Sequence, residues 1–357
     1  MPLLAYTFAF VLPILALVGL RVGGVAQFAA PLFVFGFIPL AEHLFRGSEV
    51  QPAPRSPREA LAYDLLLYAL IPLHFAVLGA YLWGMRVGQW SAVEAVGASV
   101  STGITLAGIA INLGHELGHR TSRWHQRTAL LLYLSTNYAH FFIEHNRGHH
   151  ARVATPEDPA SAGKGEVVYA FVLRSLIGGY RSAWAIEARR FPTARFPALQ
   201  PRNLMLRLHL LQGAALALVG GLLGPAALLG WIAASAVAIG LLEVINYVEH
   251  YGLRREKDAS GRYPKVEPVH SWNSNRPLGR ILLFDLTRHA DHHAHPTRPY
   301  HQLRHFPEAP ELPTGYPGMI LLALCPPAWF AVMDPRVDAA LRGGPSRPLD
   351  AEPNPAR

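Results

Sequence analysis

The sequence predicts an all-α integral membrane protein: six transmembrane helices carrying a histidine-rich cap on the cytoplasmic side. Three observations lead there. Of 357 residues 51% are hydrophobic and only 16% charged, and the apolar residues fall in long runs rather than in the alternations of a soluble domain. Basic residues avoid alternate connections between those runs. Half of the 18 histidines are gathered into four short motifs at the ends of runs or just beyond them.

Six runs approach the roughly 20 residues that cross a bilayer as helix: 3–20, 27–45, 61–83, 93–113, 204–223 and 226–248. The first lacks the basic leader and small-residue cleavage site of a secretory signal, so it is read as a retained helix. Of 32 Lys and Arg residues, only Arg21 and Arg86 lie in the connections after spans one and three, and none in the connection after span five. Positive charge marks the cytoplasmic side, which puts both termini there. The same topology accounts for the net charge of +8 without a nucleic-acid partner. Residues 1–340 read as one membrane domain, with polar segments 114–203 and 249–310 on the cytoplasmic side and a disordered tail at 341–357. The single cysteine, Cys325, excludes a disulfide or an iron–sulfur centre within the chain.

Nine histidines make up the four motifs: "HELGH" (His115, His119), "EHNRGHH" (His145, His149, His150), "NYVEHYG" (His250) and "RHADHH" (His289, His292, His293). Spacings of four place two rings on one helical face, and a third ring is turned by about 100°. One motif can therefore feed two metals. Three or four ligands satisfy a mononuclear zinc site, so nine imidazoles imply two ions. Imidazole alone does not separate iron, copper, zinc and nickel. His43, His74, His125, His209, His270, His301 and His305 stand alone and read as hydrogen-bonded or solvated residues, while His140 and His295, beside the motifs, stay open.

With "HELGHR", "EHNRGHH", "NYVEHYG" and "LTRHADHH" in this order, together with "ATPEDPASA" after the second motif, the chain resembles the integral-membrane alkane 1-monooxygenases of the membrane di-iron desaturase and hydroxylase superfamily. The resemblance covers roughly residues 60–310. "NYVEHYG" is the element that separates these hydroxylases from desaturases; Arg120, where the family commonly has Lys, is a mild departure. The resemblance implies that all nine motif histidines hold two iron ions in a di-iron cap, with no catalytic side chain beyond the ligands. It implies oxygen insertion from O2 into the terminal C–H of a medium-chain n-alkane in the bacterial inner membrane. It also implies electrons from rubredoxin, a separate chain reduced by a flavoprotein rubredoxin reductase, in keeping with the absence of a Cys pair or a dinucleotide-binding GxGxxG.

Metal-bound imidazoles are oriented by carboxylates or carbonyls on their second nitrogen. Glu116, Glu144, Glu249 and Asp291 lie inside the motifs, Glu243 lies seven residues before His250, and Asp158 and Asp285 are further candidates. A substrate drawn from membrane lipid stops where a bulky side chain closes its channel, and Phe33 and Phe35 of span two are the expected plugs. Competing readings are an aromatic-methyl hydroxylase or an acyl-chain desaturase on the same ligands, an intramembrane zinc peptidase with Glu116 as base, and a metal transporter. The peptidase leaves three motifs without a purpose, and a transporter calls for ionisable residues spread through the spans.

Overall fold

In a computed structural model, which describes residues 1–45 and 47–343, the regular structure among those residues is helical, apart from an isolated bridge between Asn273 and Glu311. Six helical spans are long and apolar enough to cross a membrane: Leu3–Val22, Gly24–Glu42, Pro57–Val87, Ala92–Gly118, Leu204–Leu223 and Pro225–His250. They match the expected six, and the protein is a multi-pass membrane protein. The tail expected to be disordered lies outside the described residues apart from its first three positions.

The span ends follow from local chemistry. Spans three and four each begin with a capping box, in which Ser56 and Glu59, or Ser91 and Glu94, satisfy each other's backbone N–H groups. Gly88 ends span three in the left-handed conformation. Gly224 turns the chain between spans five and six at φ 87°, and Pro225 starts the next helix where a missing N–H costs nothing. Spans four and six pack closely because Gly103 has no side chain; a Cβ there would lie 2.7 Å from the Ala234 carbonyl oxygen.

Spans three, four and six are longer than the sequence runs suggested, at 31, 27 and 26 residues. At 1.5 Å per residue they measure about 47, 40 and 39 Å, against a hydrocarbon layer of about 30 Å. The excess lifts their ends clear of the bilayer. Spans two, four and six all finish on the face where spans one, three and five begin, so segments 43–56, 119–203 and 251–343 form one cap. Within it, Tyr316–Ala323 and Pro326–Leu341 are bent by 120° at a break, the consequence of Pro326 and Pro327 after Cys325.

Two spans carry π-turns. Residues Phe33–Phe37 of span two and Leu106–Ile111 of span four form π-turns, whose extra residue per hydrogen-bonded ring redirects the side chains around them.

Candidate metal centre

All nine motif histidines converge in the cap. His115, His119, His145, His150 and His292 form one group and His149, His250, His289 and His293 another, with the ligand atoms of each group within 4.8 Å of one another. In the first group the Nε2 atoms of His145 and His150 are 3.0 Å apart, those of His145 and His119 3.1 Å, and those of His150 and His292 3.1 Å. In the second, Nε2 of His293 lies 2.9 Å from that of His289 and 3.2 Å from that of His149. Such separations suit nitrogens about 2.0–2.1 Å from a shared ion.

Each motif reaches its place by a definite local device. "HELGH" runs off the end of span four, so His115 and His119 share a face. "EHNRGHH" departs from the α-helical expectation. Residues His145–His149 form a π-turn, in which bonding runs from i to i+5. His145 and His150, five apart, therefore join one group, whereas α-helical spacing pairs His145 with His149. His149 is sent to the other group. "NYVEHYG" places His250 on the last residue of span six. "RHADHH" forms the short helix His289–Ala294, with His289 and His293 on one group and His292 turned to the other, as its spacing foretells. Ahead of that helix, Phe284 and Asp285 hold left-handed backbone angles (φ 52° and 53°), which cost about 1–3 kcal/mol each unless the surroundings fix them. Asp285 is fixed by Arg280 at 2.6 Å and by the Tyr6 hydroxyl. Asn273 caps the helix by accepting the Ala290 N–H at 2.8 Å.

The electrostatics favour neutral rings. Burial, reinforced by neighbouring imidazoles, pushes His145, His150, His289, His292 and His293 well below the usual histidine pKa, and His119 down to about 3. Neutral imidazole is the ligating form. His149 differs: burial opposes its charge, but Asp158, accepting from Nδ1 at 2.9 Å, raises its pKa overall. Asp158 is thus the carboxylate found on the outer nitrogen of a motif histidine, and Ser161 holds it in turn at 2.6 Å.

The other carboxylates are engaged differently. Glu249 accepts from the Tyr316 hydroxyl at 2.9 Å and brings an oxygen to 3.2 Å from Nε2 of His289, on the ligating edge of that ring rather than behind it. Glu116 accepts from Arg120, which also reaches Asp64 at 3.2 Å, so the Arg of "HELGHR" ties span four to span three. Glu144 pairs with Arg152 at 2.7 Å, and Asp291 with His295 at 2.8 Å and with Arg298. Glu243 accepts from the Tyr138 hydroxyl at 2.9 Å. Glu249 apart, these carboxylates meet the residues named here rather than a ring nitrogen of a motif histidine. His74, His209, His270 and His305 meet Ser135, Tyr180, Glu267 and Asn275 respectively, and His140 and His295 lie outside both groups.

An apolar cavity runs from the histidines into the spans. His115 and His145 of one group and His289 of the other line its inner end, and Leu12, Val34, Phe35, Ile104 and Gly108 line it among the spans. Both π-turns border it. Phe35 faces it, whereas Phe33 packs against Phe8 and Phe37 at centroid distances of 5.6 and 5.7 Å. Leu12, Ile104, Tyr316 and Ile320 were not legible as lining residues, because their periodicity is that of any buried helix.

A bundle of apolar spans with two all-imidazole groups beside an apolar cavity defines a membrane metalloenzyme acting on an apolar substrate. Comparisons agree: residues 89–322 match the fatty acid desaturase family. The chain is 40% identical over 307 residues to an alkane 1-monooxygenase of Pseudomonas putida, covering 85% of this chain and 76% of that one. It is 40% identical to alkane 1-monooxygenase 1 of Alcanivorax borkumensis, with the same coverage. The xylene/toluene monooxygenase hydroxylase component of Pseudomonas putida is 31% identical, over 76% of this chain and 72% of that one. The chain belongs to the alkane 1-monooxygenases, within the membrane di-iron desaturase family, and is an oxidoreductase of the monooxygenase type.

Proposed function

We propose that the protein hydroxylates the terminal methyl group of medium-chain n-alkanes, with the nine motif histidines holding two iron ions, five on one and four on the other. The observation that carries this reading is the cavity: an apolar tube whose inner end is lined by rings of both histidine groups. An alkane offers no polar handle, so it is positioned by shape alone, and a narrow tube admits it end first. The methyl then arrives at the metal end ahead of every methylene. Ile104 lies eleven residues before His115 on span four, about 16 Å at 1.5 Å per residue. At about 1.3 Å per carbon, from bonds near 1.5 Å, that depth holds about twelve carbons.

Bound iron supplies the activation of O2. The chain supplies the neutral imidazoles, the dry cavity and the outer hydrogen bond from His149 to Asp158. The balance is RH + O2 + 2e⁻ + 2H⁺ giving ROH and H2O. A chain with one cysteine takes the electrons from elsewhere, and rubredoxin, an acidic one-electron carrier, suits the basic cap in the cytoplasm. His119 and His150 are only half-buried while all four histidines of the second group are buried, so electrons enter through the five-histidine group.

The test is whole-cell conversion of an n-alkane series and of xylene by cells expressing the protein with a rubredoxin system. Primary alcohols from alkanes up to about dodecane, with little aromatic alcohol, are expected. Unsaturated acyl chains or benzylic alcohols as the dominant product would overturn the reading.

A further inference from the structure

A second, smaller cavity lies beside the first, and polar side chains line part of it. Tyr138, His140, Glu144, Ser175 and Glu243 line it, and two residues, Phe141 and Asn246, border both cavities. Glu243 is a carboxylate 2% exposed, seven residues before the end of span six. Its hydrogen-bond partners are neutral: the Tyr138 hydroxyl at 2.9 Å, the Asn246 amide at 3.4 Å and Ser175. A buried acid held by neutral hydrogen-bond partners is costly to keep for packing alone, and an ionisable residue inside a span is by default a functional one. Toward the aqueous cap, the half-buried His140 ring sits 4.6 Å from Tyr138 and 5.2 Å from the partly exposed Tyr180.

Resting on the monooxygenase reading, which consumes two protons at the inner end of an apolar cavity, we propose that the second cavity is the aqueous proton route to that end, with Glu243 as its innermost relay. Hydrocarbon does not conduct protons, so they cannot arrive with the substrate. The cavity has room for a water, with carboxylate, hydroxyl and amide partners around it. A proton passes from water at the His140 rim to the Glu243 carboxylate beside Tyr138. It leaves past Asn246 into the space where oxygen is reduced, and Glu243 is reprotonated from the cavity water. Glu243 acts through that water rather than on substrate, which makes it a positioning residue.

Glu243→Gln separates this role from a structural one, since the amide still accepts the Tyr138 hydrogen bond and fills the same space. In purified iron-loaded enzyme, alkanol turnover should fall about 100-fold, with an enlarged solvent isotope effect and reducing equivalents diverted to hydrogen peroxide. Iron per chain should be unchanged, and Glu243→Asp should recover part of the rate. A readout independent of turnover uses the exposed Cys325: in a Cys325→Ser background, Ser175→Cys should react with a small charged thiosulfonate added to the water, while Ile104→Cys in the apolar cavity should not. Wild-type rate and coupling in Glu243→Gln, loss of iron along with its rate, or an inert Ser175→Cys would each overturn the proposal. Failure of the parent reading looks different: the unmutated enzyme then makes no alkanol, whatever Ser175→Cys does.

Discussion

His250 stands alone in its motif yet joins three other buried histidines in the second group. A helix-end residue hydrogen-bonded at the membrane surface would tolerate replacement; a ligand would not. His250→Ala should abolish hydroxylation and take bound iron from two toward one per chain. His270→Ala, whose ring meets the Glu267 backbone at 2.9 Å, should do neither; iron analysis and product assay on the pair are the check. Asp158→Asn weakens a hydrogen bond to a ligand without removing one, so iron affinity should drop about 10–100-fold rather than vanish, measured by competition with a chelator. Sequence motifs named all nine converging histidines because clustered imidazoles have few other uses. They did not name Asp158 over Glu116 or Asp291 as the carboxylate on a ring nitrogen, since that depends on which way the loop after "EHNRGHH" folds back.

Among elements, the π-turns are what the sequence concealed. A run such as "FVFGF" or "HNRGH" has the composition of an α-helix, and the extra residue in the ring is decided by packing on both sides. Its consequences are specific. Phe35 faces the substrate cavity and Phe33 does not, so Phe35→Ala should lengthen the longest alkane converted while Phe33→Ala leaves it unchanged. Gly108, on the span-four π-turn, leaves room where a Cβ would meet Leu12 at 3.0 Å. Gly108→Leu should shorten the range, and gas chromatography of products from an alkane series reads both shifts. A wild-type range in both Phe35→Ala and Gly108→Leu would place the stop on another helix. Span number and placement were legible from hydropathy to within a few residues. The extensions of spans three, four and six were not, because residues such as "LGHELG" are too polar to count as membrane although they continue the same helix.

At the scale of the whole molecule, the bundle separates what the reaction needs kept apart. In the proposed reading alkane is admitted through the spans, and electrons and protons through the cap, and they meet where both histidine groups line the cavity. The sequence showed the six spans and the histidines gathered at one end, and so a membrane enzyme rather than a transporter. The cavities joining them come from contacts between distant segments, which no motif records. The central claim is that five and four histidines hold one iron each. Metal quantification on protein purified from iron-replete cells tests it most directly: the account predicts two irons per chain and negligible zinc, and one zinc per chain without iron would contradict it.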